Sequence, residues 1–458
     1  MHWKLRDRVS KIPDRIWRRK QQSGIRPVAH VQHVWSRLRS NAIVAGAMLS
    51  LAFSVAASAQ SDVQITDPTA LNRVLDQFVE SGQYPFLYAR LESAEGRVLY
   101  EYSAVNDALL PGVTVDGQSW MRVWSMSKIV TIAVVMDLVE EGTLSLEDPV
   151  SDYLPWLSDL QVAVDADGQS LSSPESAAAK CPLQTVPATQ TLTVEHLLNH
   201  TGGFYYAVTG IDCLDELAAE ASLPTARNTK AFAKRLAELP LIHQPGERYY
   251  YGLNTSVLGM VAERATKRSL KQLVEERISK PLRIRGLQYG LPDGETLLPL
   301  TTVADGTLRL AQTQDLDIFG DALPDYDKGR KLFLGGEGML ATTDGYADFL
   351  RVLLGRGALF GQRLLDEASV DAITAPHTQL DNPQGHNGYN LWVTNDNAPV
   401  PNLWMGGGYE GTHFWIDPER GFVGLLMSQV HGVPNFGQDL ESAFRAAVYE
   451  AMSSAVAP

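Results

Sequence analysis

A serine and a lysine stand together at the head of a strongly apolar run. Residues 124–138 read W-S-M-S-K-I-V-T-I-A-V-V-M-D-L, with Ser125 and Lys128 three positions apart. In a helix this spacing puts both side chains on one face of the first turn, where free backbone N–H groups stabilise an oxyanion. A desolvated lysine can activate a serine, which is otherwise a poor nucleophile. An N-cap serine beside a solvated lysine explains the same spacing, so both interpretations stay open here.

The first part of the chain has the character of a leader. Basic residues crowd positions 4–39, residues 42–56 are almost wholly apolar, and A-S-A at 57–59 matches a small-residue cleavage site. The apolar run is short for a bilayer span. We therefore predict a leader at 1–59, a mature domain at 60–458 without a stable membrane span, and export to the periplasm or the outside. An uncleaved N-terminal membrane anchor is the alternative.

The net charge of the chain narrows the range of its binding partners. The formal net charge is −14, and the predicted leader holds eleven of the 39 Lys and Arg, so the remainder is more acidic still. Such a chain repels phosphate backbones, and we predict no nucleic-acid partner.

Cys181 and Cys213 are the two cysteines. In an oxidising compartment they can form a disulfide worth roughly 3–4 kcal/mol. Free buried thiols are the alternative.

Periodicity predicts a mixture of helices and strands. We expect helices at 68–80, 125–141, 193–200, 229–239, 256–267, 343–354 and 439–452, and strands at 86–91, 97–102, 412–416 and 422–427. Residues 158–190 are rich in Ser, Ala, Asp and Pro, which predicts a surface insertion. Residues 285–335 have an irregular sequence pattern, which predicts loops near a cleft.

Two further segments carry candidate chemistry. Residues 245–254 read P-G-E-R-Y-Y-Y-G-L-N, where Tyr251 is a candidate general base if a lysine stabilises its phenolate. Aromatic packing is the alternative interpretation. Residues 405–418 read M-G-G-G-Y-E-G-T-H-F-W-I-D-P. Glycines before a strand allow a ligand to approach the backbone, and one N–H there can complete an oxyanion hole. Simple turns explain such glycines equally well.

Taken in order, these motifs resemble the serine β-lactamase and penicillin-binding-protein superfamily, in particular its class C-like branch of esterases and D-peptidases. The motifs are S-x-x-K at 125–128, L-T-V-E-H-L-L-N-H-T-G-G at 192–203, P-G-x-x-Y-x-Y at 245–251, G-G-E-G-M-L-A-T-T at 335–343 and G-T-H-F-W-I-D-P at 411–418. The resemblance covers roughly residues 70–450. It implies an α/β (α+β) fold in which an antiparallel sheet, built from both chain ends and flanked by helices, adjoins a mainly helical lobe.

The same resemblance implies roles for particular residues. Ser125 is acylated, Lys128 and Tyr251 share proton transfer, and the backbone N–H groups of Ser125 and Tyr409 form the oxyanion hole. The remaining predicted substrate contacts are Trp124, Asn254, Gly407 and Gly408. The resemblance implies no cofactor and no metal.

The sequence departs from the family pattern in two places. The second motif is usually Tyr-x-Asn, but Asn254 stands one position late, which puts its substrate contact in doubt. The third motif usually opens with lysine or histidine in K/H-T-G, where this chain has three glycines at 406–408. Glycine cannot hold the carboxylate of a β-lactam as lysine does. A small-molecule ester, or an amide without a required carboxylate, fits better.

Three functions remain open from the sequence: an esterase, a hydrolase of β-lactam or peptidoglycan-type amides, and a non-catalytic envelope binding protein. The retained Ser125, Lys128 and Tyr251 favour catalysis, and the altered third motif favours esters. A zinc site on His196 and His200 is disfavoured because no third ligand is evident. We expect His413 to be an exposed strand residue and Glu337 a turn residue.

Overall fold

The computed structural model describes residues 63–454, apart from 166, 170, 172–180, 182, 305, 313–314, 316–328, 330 and 379–381. The predicted leader at 1–59 lies outside the described residues, as does part of the predicted insertion at 158–190. Among the helices described, none combines the length and the apolar character needed to cross a bilayer.

A seven-stranded antiparallel sheet joins the two ends of the domain. Its strands are β1 (Phe86–Ser93), β2 (Val98–Val105), β12 (Gly385–Asn387), β13 (Trp392–Thr394), β14 (Trp404–Gly408), β15 (Thr412–Asp417) and β16 (Phe422–Met427). Their order in the sheet is β12-β13-β14-β15-β16-β1-β2. Strand β1 pairs with β16, Tyr88 opposite Met427, so an N-terminal strand lies next to a C-terminal one. The antiparallel sheet expected from the resemblance is confirmed.

Among the residues that the structure describes, ten short strands form the smaller sheets. They are β3 (Met121–Arg122), β4 (Gln161–Val164), β5 (Gln184–Pro187), β6 (Leu287–Gln288), β7 (Thr301–Ala304), β8 (Thr307–Leu310), β9 (Leu340–Ala341), β10 (Ala358–Leu359), β11 (Gln362–Arg363) and β17 (Val430–His431). Strands β4 and β5 pair with each other inside the segment predicted as a surface insertion. Val162 and Ala163 are buried, so this segment also contributes to the core.

Helices cover the sheet and build the second lobe. They are α1 (Thr69–Glu80), α2 (Ser127–Glu140), α3 (Val150–Tyr153), α4 (Val194–Leu198), α5 (Asp212–Ala221), α6 (Thr229–Leu236), α7 (Asn254–Thr266), α8 (Leu270–Val274), α9 (Thr343–Leu354), α10 (Glu367–Thr374) and α11 (Gln438–Ser454). The disulfide predicted between Cys181 and Cys213 is confirmed, and it ties the segment after β4 to α5.

Alternate residues of β1 enter two different cores, because successive side chains of a strand point to opposite faces. Leu87 and Leu91 pack in the smaller core, which α1 and α11 cover. Phe86 and Tyr88 pack in the larger core, which includes α9 and the helices of the second lobe. The central helix α2 lies inside this larger core. Its residues from Ser127 to Met136 are all buried, as expected for a helix that is apolar on every side.

Candidate active site

The predicted nucleophile stands on a strained turn. A 3₁₀ turn over Trp124–Met126 leads directly into α2. Trp124 has a φ of 42°, in the left-handed region that bulky residues rarely adopt, and such strain is concentrated at functional sites. Ser125 follows it, 9% exposed at the floor of a cleft. The turn therefore presents the Ser125 hydroxyl while the rest of the segment stays buried.

Lys128 is completely buried next to Ser125. Its Nζ lies 3.0 Å from Ser125 Oγ, and it is also 3.0 Å from both the hydroxyl of Tyr206 and the carbonyl oxygen of Gly336. A buried amine is costly unless it has hydrogen-bond partners, and this one has these three at 3.0 Å and a fourth, longer contact to Glu337. The sequence prediction that Ser125 and Lys128 share a helical face is therefore consistent with these contacts.

A buried carboxylate lies on the far side of Lys128. Glu337 is 2% exposed, and its Oε1 lies 3.4 Å from Lys128 Nζ. The hydroxyl of Tyr206 donates to Glu337 Oε1, and that of Ser256 donates to Oε2. The backbone N–H of Gly336 donates in turn to Ser256 Oγ over 3.1 Å. Glu337, which the sequence predicts to be a turn residue, therefore has its side chain inside the site.

Two tyrosines flank Lys128 in different ways. Burial, reinforced by the charge of Glu337, raises the pKa of Tyr206 well above its usual value, so this phenol stays protonated. Tyr251, the predicted base, is 39% exposed and lines the cleft. Lys128 Nζ lies 4.8 Å from the centre of the Tyr251 ring, a cation–π distance. On its other side this ring stacks on His200 at 4.9 Å. Burial, with the charge of Lys128, lowers the pKa of His200 to about 3, so the imidazole is neutral.

The glycines of β14 form one wall of the cleft. A Cβ on Gly408 would lie 2.4 Å from the carbonyl oxygen of Val123, so only glycine lets β14 approach the nucleophile turn this closely. Tyr409 follows, and its ring meets that of Trp124 edge-on at 5.4 Å. The cleft measures about 740 Å³. It is lined by Ser125, Tyr206, Val208, Tyr251, Asn382, Trp392, Met405, Gly406, Gly407, Gly408, Tyr409, His413, Gln438, Glu441 and Ser442.

Some predicted site residues lie elsewhere. Trp124 is fully buried and does not line the cleft. Asn254 is also fully buried, with its amide nitrogen 3.4 Å from both His200 Nδ1 and the carbonyl oxygen of Tyr250. His413 was expected to be exposed, and that prediction is wrong. Its enclosed ring lines the cleft, and burial, with the charge of Arg445, lowers its pKa to about 4.

The described part of the chain contains no cluster of three or more His, Cys, Asp or Glu side chains arranged to hold a metal ion. His196 instead takes part in a capping box at the start of α4, where its Nδ1 accepts a hydrogen bond from the backbone N–H of Thr193. His200, the other half of the zinc alternative, packs on Tyr251.

Comparison with known proteins gives consistent matches. The family model described as Beta-lactamase matches residues 71–447. Protein Rv1367c of Mycobacterium tuberculosis is 32% identical over 322 residues, which cover 66% of this chain and 73% of that protein. Lovastatin esterase of Penicillium rubens is 28% identical, covering 62% of this chain and 67% of its own length.

A solved structure described as EstCE1, a hydrolase with promiscuous acyltransferase activity, superposes with a TM-score of 0.66 at 20% identity. The match covers 83% of this chain and 97% of that one, and it shows a shared fold. The resemblance seen in the sequence motifs is confirmed by these matches.

Proposed function

Because the chain belongs to the beta-lactamase family, we propose that it is a serine hydrolase that cleaves carboxylic esters through an acyl group on Ser125. The observation that carries this proposal is the 3.0 Å contact between Ser125 Oγ and the buried Nζ of Lys128 at the floor of the cleft. A nucleophile and a base within hydrogen-bond reach are the geometric signature of covalent catalysis.

The proposed reaction has two balanced steps. Lys128 takes the proton of Ser125 as Oγ bonds to the acyl carbon of the ester. The bond from that carbon to the alkoxy oxygen then breaks, and the leaving oxygen takes up a proton as the alcohol. Tyr251, whose ring contacts Lys128 and lines the cleft, is the proposed carrier of this proton from Lys128. In the second step water attacks the acyl-Ser125 ester, which releases a carboxylic acid and restores the Ser125 hydroxyl.

The oxyanion of each tetrahedral intermediate needs hydrogen-bond donors. We assign this role to the backbone N–H groups of Ser125 and Tyr409. The support is the close approach of β14 to the nucleophile turn at Gly408, which brings the start of the Tyr409 segment next to Ser125. Gly407 and Gly408 line the cleft and leave room for the acyl group beside the strand.

The chemistry of the cleft wall favours neutral esters over β-lactams. Among the described residues that line it there is no lysine or arginine, and the family cation is replaced by Gly406. Glu441 adds a carboxylate, whose partner is Arg445. Val208, Trp392 and Met405 supply apolar surface. A substrate carboxylate therefore has no counter-ion among these lining residues. A small-molecule ester with an apolar acyl or alcohol part can instead be buried against the apolar surface of the cleft. The lovastatin esterase relative supports the same substrate class.

An amidase acting on β-lactam or D-Ala-type amides is the alternative, and a binding protein without catalysis is the third possibility. Relatives named as acyltransferases also match this chain, and an alcohol in place of water in the second step would give acyl transfer. We further propose that the domain acts in the periplasm or outside the cell, for which the disulfide is the structural support.

The test compares residues 60–458 with its Ser125→Ala variant on p-nitrophenyl acetate, p-nitrophenyl butyrate and a chromogenic cephalosporin. We expect ester turnover that the variant lacks and little cephalosporin opening. Cephalosporin opening faster than ester hydrolysis would favour the amidase alternative. Absence of turnover on all three by folded protein would favour the binding protein.

A further inference from the structure

The hydrogen bonds around Lys128 fix where its protons point. The carbonyl oxygen of Gly336 is an acceptor only, so Lys128 donates one N–H to it. The hydroxyl of Tyr206 gives its proton to Glu337, so its oxygen accepts a second N–H from Lys128. The third position on Nζ faces Ser125 Oγ at 3.0 Å. The fourth contact, to Glu337 Oε1, is longer at 3.4 Å, so the neutral and the charged forms of Lys128 differ mainly along the bond to Ser125.

This arrangement makes Lys128 a dedicated partner of Ser125. As a neutral amine it uses both N–H groups on Gly336 and Tyr206 and turns its lone pair to the hydroxyl of Ser125. As an ammonium it keeps those two bonds and carries the serine proton in the third. No rotation of the amine is needed between the two states, which is the preorganisation that lowers a proton-transfer barrier.

The ammonium formed in this step is completely buried and needs a negative charge nearby. Glu337 supplies this negative charge. Its Oε1 lies 3.4 Å from Lys128 Nζ, and the hydroxyl of Tyr206 also links the two groups by accepting from Lys128 and donating to Glu337. Both carboxylate oxygens of Glu337 accept hydrogen bonds, Oε1 from Tyr206 and Oε2 from Ser256. In a low-dielectric interior an opposite charge at this distance stabilises the ion strongly, and an unpaired ion is very costly.

We infer that Glu337 is the positioning residue of a Ser125–Lys128–Glu337 relay, in which Tyr206 is a protonated bridge rather than a base. Its role matches that of the aspartate in a Ser-His-Asp triad: it orients the base and stabilises the cation that the base becomes, without accepting the proton itself. The inference rests on the proposed function, because it concerns the acylation of Ser125. It assigns the first proton transfer to Lys128 and leaves Tyr251 to act on the leaving group.

A change of charge at position 337 gives a specific kinetic signature. In Glu337→Gln the amide keeps the size of the side chain but removes the negative charge. We expect kcat/KM for p-nitrophenyl butyrate to fall about 100-fold, mostly through kcat. Because the ammonium loses its counter-ion, we expect the acidic limb of the kcat/KM profile to move to lower pH. The other titratable groups facing Lys128 are Tyr206, Tyr251 and His200, and all are unchanged in this variant.

Two further variants separate charge from geometry. Glu337→Asp keeps the charge but shortens the reach, so its rate should fall while its acidic limb stays at the wild-type pH. Tyr206→Phe removes the bridging hydroxyl and keeps the ring, so it should lose rate even where the fold is intact. Glu263→Gln is the matched control. Glu263 accepts from the hydroxyl of Thr229 and the backbone N–H of Leu270 and is not among the residues that line the cleft, so its variant should keep the wild-type profile.

The measurement is the rate of acyl-Ser125 formation by stopped flow and intact mass, followed by pH profiles of turnover. A wild-type protein that forms no acyl-Ser125 would overturn the proposed function and this inference with it. A wild-type protein that acylates, beside a Glu337→Gln variant with the same rate or an unmoved acidic limb, would overturn this inference alone. If Glu337→Gln does not fold, Glu337→Asp and Tyr206→Phe decide: rates at the wild-type level in both would overturn the relay.

Discussion

Gly408 lies against the carbonyl group of Val123, so close that a Cβ at position 408 would be only 2.4 Å from the carbonyl oxygen. This contact joins the wall of the cleft to the turn that carries the nucleophile. It explains why a glycine ends β14, since any other residue would push the strand away from Ser125. The distance between these two segments is therefore part of the catalytic geometry that we propose.

We predict that Gly408→Ala reduces ester turnover by at least about tenfold and destabilises the fold by about 1–3 kcal/mol, since the added methyl group overpacks the contact with Val123 and with Thr412. Steady-state kinetics and urea unfolding measure the two effects. Gly329→Ala is the matched control, because a Cβ there meets no atom of the described residues within 4 Å. Equal behaviour of the two variants would contradict the proposed role of the contact.

The disulfide between Cys181 and Cys213 should stabilise the fold. Cys181 and Cys213 are 32 positions apart, and closing a loop of this length in the unfolded chain is worth about 3–4 kcal/mol. We therefore expect a Cys181→Ser/Cys213→Ser variant to lose this much in the free energy of unfolding, measured by urea titration. Added reductant should destabilise the wild type and leave the variant unchanged. A wild type that is insensitive to reductant while its cysteines are reduced would contradict the prediction.

Acid should weaken the fold through a buried histidine outside the cleft. His243 is fully buried, and burial lowers its pKa to about 4, whereas an unfolded histidine has a pKa near 6.5. Between these values the unfolded chain binds a proton that the folded chain does not. The free energy of unfolding should therefore fall as the pH drops from about 6.5 to about 4, by up to about 1.4 kcal/mol per pH unit for this one residue.

The His243→Gln variant isolates that contribution, since every other buried histidine is the same in both proteins. Urea unfolding at pH 7, 6 and 5 should give the variant a smaller dependence on pH than the wild type. Identical slopes would show that His243 is protonated equally in the folded and unfolded chains.

The local pattern of apolar and polar residues in the sequence is sufficient to predict many of the helices and strands. The helix predicted at 343–354 and the strand at 422–427 have the bounds that the structure gives them. Thr342 caps the start of the helix by accepting a hydrogen bond from the N–H of Gly345. The strand is a continuous apolar run, and every one of its residues is buried. The pairing of β1 with β16 joins segments more than 300 residues apart, and it was predicted only from the family resemblance.

The surroundings of Lys128 were not predictable in the same way. Tyr206 and Glu337 reach it from 78 and 209 positions away, and no periodicity records such contacts. The G-G-E-G motif was a usable signal, because glycines on both sides allow the backbone to pack closely around a buried glutamate. A Cβ at Gly336 would lie 3.3 Å from Lys128 Nζ. The exposed position expected for His413 was wrong because strand alternation alone does not show which face a cleft opens on.

The most direct test of the proposed mechanism is intact-mass spectrometry of residues 60–458 mixed with p-nitrophenyl butyrate and quenched in acid within milliseconds to seconds. The proposed mechanism predicts one butyryl adduct that maps to Ser125, is absent from Ser125→Ala and disappears as the ester is consumed. Ester hydrolysis without an adduct on Ser125, or with an adduct on another residue that Ser125→Ala retains, would contradict it.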